Sequence, residues 1–148
     1  MFDPNEFLDQ QVEGANDTRL IPVPEGEYLA IIEKVSARQW QSKQDPSKAG
    51  VTLDVVWSVE DQSVKEFLGR AKVTVNQGIM LDTTEEGKLD MGKGKNVGLG
   101  RLREAVNLND PGRPFAFSQF PGLSAKVLVK HRLHEDNVYA EVKGVTKV

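Results

Sequence analysis

The residues of this chain that are equipped for chemistry fall into two groups, and the group suited to bond breaking has unworkable spacing. Gly87-Lys88-Leu89-Asp90-Met91-Gly92-Lys93 matches G-x-x-x-x-G-K, the first part of a phosphate-binding loop. Gly94 stands where a Ser or Thr would hold magnesium, and Thr83-Thr84-Glu85-Glu86 supplies no buried strand to feed the loop, so nucleotide hydrolysis is not expected. His131 and His134 are three residues apart, which on a strand puts them on opposite faces and does not suit a shared metal. Cysteine is absent, which removes disulfides, thiolate metal sites and cysteine nucleophiles together. Glu85-Glu86 has no histidine nearby in sequence, and no serine sits in a nucleophile elbow. These patterns predict a protein that is not an enzyme and carries no cofactor or metal. An active site assembled from distant segments ranks well below that expectation.

The second group is aromatic and cationic. Trp40 opens a polar stretch, residues 39–50, that holds Lys43 and Lys48, with Arg38 just before it. A ring in that setting can stack on a planar ligand or fold back over the neighbouring strand, and both readings stand. Arg70, Lys72, Thr74 and Asn76 share one face of residues 70–79. Lys126, Lys130 and Arg132 share one face of residues 125–133, and Tyr139 and Lys143 continue that row in 138–143. Each row is equally an ordinary solvated strand face with lysines guarding an edge, and Asp54 and Glu60 oppose the first row. Trp57 shares its face with Val51, Leu53, Val55 and Val59, which predicts a core position. Phe115, Phe117 and Phe120 lie in a Pro/Gly-bounded segment. Packing against the domain is their expected role, with ring stacking or a homo-oligomer interface as alternatives.

Five alternating segments must position these residues: 27–39, 51–60, 70–79, 125–133 and 138–143. One helix, 97–107, interrupts them, with Leu99, Leu102 and Val106 on one stripe, Asn96 as its cap and Asp110-Pro111-Gly112 as its stop. Residues 80–95 suggest a small extra hairpin before that helix, turning at Thr84-Glu85-Glu86-Gly87. The order β-β-β-α-β-β predicts an all-β fold with one helix, a five-stranded OB-fold (oligonucleotide/oligosaccharide-binding) barrel. A β-sandwich with a surface helix is the rival closure, and periodicity does not separate the two.

Charge divides the chain of 148 residues into an arm and a body. Residues 1–18 carry Asp3, Glu6, Asp9, Glu13 and Asp17 without a single Lys or Arg. The net charge of −3 is therefore that of an acidic arm, residues 1–19, on a mildly basic single domain, residues 20–148. Residues 5–12 suit a short helical turn. The first residues lack a basic region followed by an apolar run, and no apolar stretch approaches the roughly 20 residues that span a bilayer, so no membrane association is expected.

Three stretches resemble a known family. Pro22-Val23-Pro24-Glu25-Gly26-Glu27-Tyr28 with the Ile-rich strand behind it, Gly122-Leu123-Ser124-Ala125-Lys126-Val127-Leu128-Val129-Lys130, and Asn137-Val138-Tyr139-Ala140-Glu141-Val142-Lys143-Gly144-Val145 are similar to segments of small phage single-stranded-DNA-binding proteins of OB fold. The resemblance implies sequence-tolerant binding of single-stranded DNA in phage replication or recombination, in the cytoplasm of the host cell. Stacking and phosphate neutralisation would then fall to Arg38, Trp40, Lys43, Lys48, Arg70, Lys72, Asn76, Lys126, Lys130, Arg132, Tyr139 and Lys143. Lys88, Lys93 and Lys95 would add a basic loop. An acidic C-terminal tail is frequent in such proteins, whereas this chain ends in Lys147-Val148 and is acidic at the other end. The arm, with Phe2, Phe7 and Leu8 as anchors, is a candidate for docking replication or recombination proteins or for competing with DNA; a lightly packed terminus accounts for it equally. The alternative function is a non-catalytic interaction barrel or virion component.

Overall fold

In a computed structural model describing Met1–Val148, the alternating segments form five strands: β1 Gly26–Gln41, β2 Ala49–Val59, β3 Thr74–Leu81, β4 Ser124–His134 and β5 Asn137–Thr146. They make one sheet with neighbour order β1-β2-β3-β5-β4, and β4 pairs back onto β1, so the molecule is a closed, barrel-like, mostly β structure. The long first strand serves two partners. Gly26–Ile31 pairs with β4 while Ala30–Gln41 pairs with β2, and a register shift between Ile32 and Lys34 bends the strand from one to the other. Every pairing is antiparallel except β3 with β5, which meet in parallel through the single pair Asn76 and Glu141.

Period-two alternation places one side chain set inside. Ile32, Leu53, Val55, Trp57, Val59, Val75, Ala125, Val127 and Val129 are buried. The Trp57 indole N–H donates to Gln77 Oε1 at 2.9 Å, so the ring is buried without leaving an orphan donor. Three short helices accompany the sheet: α1 Pro4–Leu8, α2 Gln62–Leu68 and α3 Val97–Ala105. α3 buries Leu99, Leu102 and Ala105 against the sheet beside β3 and β5. Phe120 is fully buried, Phe115 meets it edge-on and Phe117 lies tilted against it, so the phenylalanine cluster packs on the domain as expected.

The structure departs from the sequence expectations at four places. The third strand begins at Thr74, not at residue 70, because the chain leaves the unforeseen helix α2 at Gly69 and runs as an irregular connector through residues 70–73. Asp61 caps that helix by accepting from the Val64 N–H at 3.1 Å, and Gly69, in the left-handed region at φ 65°, ends it. Arg70 and Lys72 therefore lie on a connector and not on a strand face. Asn96 precedes α3 but does not cap it. Its amide is turned away, accepting from the Asp82 N–H at 2.8 Å and donating to the Asp82 and Asp90 carbonyls, both at 2.9 Å. That side chain ties the helix to the small hairpin, whose strands meet at Thr83 and Leu89 and whose turn is closed by Gly87 N–H to Thr84 O. Leu133 is 71% exposed and not core, because the β4–β5 hairpin runs past the barrel before turning at Glu135-Asp136. The arm's helical turn is confined to Pro4–Leu8, and every residue from Met1 to Leu20 is exposed.

Candidate functional site

The outward face of β1, β2 and β3 is a ladder of known register. Lys34, Val56 and Asn76 form one row; Ser36, Asp54 and Gly78 the next; Arg38, Thr52 and Met80 the third; Trp40 and Gly50 end it. Trp40 therefore belongs to β1 itself and not to the loop behind it. A Cβ on Gly50 would come within 2.7–2.8 Å of the indole ring, so the ring lies directly on that backbone, half-buried. Of the two readings of Trp40, the folded-back ring is the one observed. Its indole Nε1 finds no partner.

The loop beyond, residues 42–48, is closed by its own hydrogen bonds. Ser42 N–H donates to Lys48 O at 2.9 Å, Ser47 donates to Asp45 through both its N–H and its hydroxyl, and Gln41 reaches Pro46 O at 2.7 Å. Lys43 and Lys48 stand exposed on this loop without an ion-pair partner. Arg38 is not free in the same way: its guanidinium meets both oxygens of Asp54, at 3.1 and 3.4 Å. The Asp54 hydrogen bond and charge hold the Arg38 pKa above its ordinary value. Lys72, expected beside Asn76, is instead paired with Glu33.

At the opposite end of β3 the chain builds a cleft of about 290 Å³. One wall is the segment from Thr18 to Val23, the second is Arg70 and Thr74, and the third is the start of β5 from Asn137 to Ala140. Arg70 and Tyr139, which the sequence places in separate rows, meet here. Arg19 joins them from the root of the arm. Neither arginine has an ion-pair partner, and Tyr139 as a residue is 43% exposed. Arg132 lies over that ring at 5.7 Å from its centroid while contacting Glu141 at 3.5 Å. Lys143 is held by the same carboxylate at 2.9 Å. Lys130 is exposed and unpaired one row further along β4. Lys126 is not part of the group, since it lies beside Leu29 and Thr146 on the β1–β4–β5 side.

The wall carrying Arg19 is fastened to the barrel. Val23 is buried, and His131 Nε2 stands 2.7 Å from the Val23 carbonyl. A carbonyl only accepts, so the ring carries its proton on Nε2. Glu25 accepts from the His131 backbone N–H at 2.8 Å, and that bond draws its carboxyl below the ordinary glutamate value. Arg19, Thr18 and Asn137 are the residues that sequence reading missed. One signal was available: Arg19 is the first cation after five acidic residues, immediately before the Leu20-Ile21-Pro22 run.

The cleft combines a ring for stacking, two unpaired guanidiniums and several short hydrogen-bonding side chains. It opens beside Thr74 and Asn76 on the outward face of β3, and Trp40, Lys43 and Lys48 stand at the far end of that face. Such a set can hold a planar group and neutralise the anions flanking it. Comparison with protein-family models and with curated proteins gave no match.

Proposed function

We propose that the protein binds single-stranded DNA with little sequence preference, by stacking and phosphate neutralisation, along a track from the Tyr139–Arg70–Arg19 cleft across the outward face of β3 and β2 toward Trp40. The observation that carries this reading is the cleft, whose lining combines an exposed tyrosine with two unpaired arginines at the edge of an exposed sheet face. The neighbour order β1-β2-β3-β5-β4 with a helix between the third and fourth strands supports an OB fold, in which that face is the usual platform. The setting implied is phage DNA replication or recombination, with no chemistry on the strand.

Titration of fluorescein-labelled oligo(dT) at low salt tests the reading. Tyr139→Ala should weaken binding by about 1–3 kcal/mol, the value of one base–aromatic stack. Arg70→Ala should weaken it and lower the logarithmic salt slope by about 0.7, the loss of one phosphate contact on a single strand. Absence of binding to any single-stranded oligomer would sink the proposal. The exposed Phe2, Phe7 and Leu8 of the acidic arm favour a second reading, an interaction barrel or virion component that docks protein. Recovery of a stable protein partner together with no DNA retention would select it.

A further inference from the structure

Arg101 of α3 stands where three clefts meet, the first opening from the β3 face of the track above and the other two lying apart from it. The first, about 440 Å³, follows the seam along which β3 and β5 part company beyond the Asn76–Glu141 pair. Gly78 and Met80 of β3, Gly98 of α3 and Lys143 and Gly144 of β5 wall it. The second, about 280 Å³, leads from Arg101 past Glu104 to Thr146 and Lys147. The third, about 350 Å³, leads from Arg101 to Lys95.

Three properties define what would fit there. Arg101, Lys95 and Lys147 are exposed and make no ion pair. Of the carboxylates lining the same clefts, Glu141 is held by Lys143 and Arg132, and Asp90 accepts from the Gly92 N–H at 2.8 Å. Asp90 and Glu104 are left to oppose three free cations, so the path keeps a net positive charge and favours an anion. Gly78 and Met80 also belong to the outward face of β3, in the rows of Asp54 and Thr52, so the seam opens from the platform itself. Gly78 on β3, Gly98 on α3 and Gly144 on β5 add no side chain to the walls, which lets an extended backbone approach closely at those points.

We propose that this seam is a second phosphate track. A single strand leaving the β3 face passes between β3 and β5, and Arg101, Lys147 and Lys95 bind its backbone phosphates. The proposal rests on the single-stranded-DNA reading given above. The rival occupant is an acidic peptide, of which the arm of a second copy is the nearest example.

The test uses the full chain with oligo(dT) of about 6 and about 20 nucleotides, bracketing the site of one OB barrel. In the Arg101→Ala, Lys147→Ala variant, affinity for the longer oligomer should fall about 5- to 10-fold, with its salt slope reduced by about 1.4 for two lost contacts. The shorter oligomer should be unaffected, and Arg101→Lys, Lys147→Arg should restore the native behaviour. Lys95→Ala, in a loop and remote from the core, should reproduce the length-dependent loss in smaller degree and guards against misfolding of the double variant. Unchanged affinity for the longer oligomer overturns the proposal, as does an equal loss on both lengths. Unchanged DNA binding with loss of self-association in sedimentation overturns it in favour of the acidic peptide. If the native protein binds neither oligomer, the primary reading fails before any variant is made, and the seam proposal fails with it.

Discussion

Gly50 faces Trp40 across the β1–β2 ladder, and a side chain there would strike the indole at 2.7–2.8 Å. Gly50→Ala should therefore lift the ring into solvent, with a red-shifted component in the emission spectrum and a stability loss of about 1 kcal/mol in urea titration. Trp57, buried and hydrogen-bonded, supplies an unshifted reference in the same spectrum. The two tryptophans were unequally legible. Trp57 lies in an alternation that only Val56 interrupts, and that pattern fixes its face. Trp40 lies where β1 outruns its recognisable apolar pattern, and only the structure reveals that a glycine opposite receives its ring. Glu25 carries a prediction of its own. Its folded carboxyl titrates below the ordinary value of 4.5, so its contribution to stability is present above that value and is lost as pH falls through the lower folded one. Glu25→Gln should lower thermal stability at neutral pH and flatten its decline below pH 4.5, so that the melting curves of variant and native protein converge in acid.

The β4–β5 hairpin turns on Glu135 and Asp136, both with positive φ, at 49° and 65°. A two-residue turn of that geometry favours Asn-Gly, and neither native residue relieves its steric cost fully. Glu135→Asn with Asp136→Gly should raise stability by about 1 kcal/mol, or roughly 2–4 °C in melting temperature for a domain of this size. The hairpin itself was readable from alternation on both sides of a polar turn. Its length beyond the barrel was not, because Leu133 and Val138 keep the core parity while standing in solvent. α2 was missed for a related reason. Ala71, Val73 and Val75 alternate convincingly, and that period drew the strand back to residue 70. The opposing signals, Asp61 as a cap and Gly69 as a left-handed stop, needed to be weighed as a pair seven helical residues apart.

Across the whole molecule, charge and covering are separated. Residues 1–18 of the arm hold five carboxylates and no Lys or Arg, and every one of them is exposed. Removing residues 1–17 takes the net charge from −3 to +2 while keeping Thr18 and Arg19 in the cleft wall. The shortened chain should keep its melting temperature and bind oligo(dT) more tightly at low salt, the difference vanishing as ionic strength rises. Tighter binding that persists at high salt would contradict an electrostatic role for the arm. The number and order of strands were visible in the sequence because each buries one face. The cleft was not, because its walls come from residues 18–23, 70–74 and 137–140, and no local pattern announces that these meet.

The divided loyalty of β1 also bears on how the chain acquires its structure. β1, β2 and β3 form a meander of neighbours in sequence, and β4 and β5 form a hairpin with a two-residue turn. Each can assemble through short loops. Joining them requires Gly26–Ile31 to find Ser124–Val129, about a hundred residues away, with the lone Asn76–Glu141 contact as the only other strand pairing. Closure of so long a loop carries a large entropic cost and comes late. The transition state for folding should thus contain the meander and the hairpin as formed pieces, and the docking of β4 onto β1 as the event still to come.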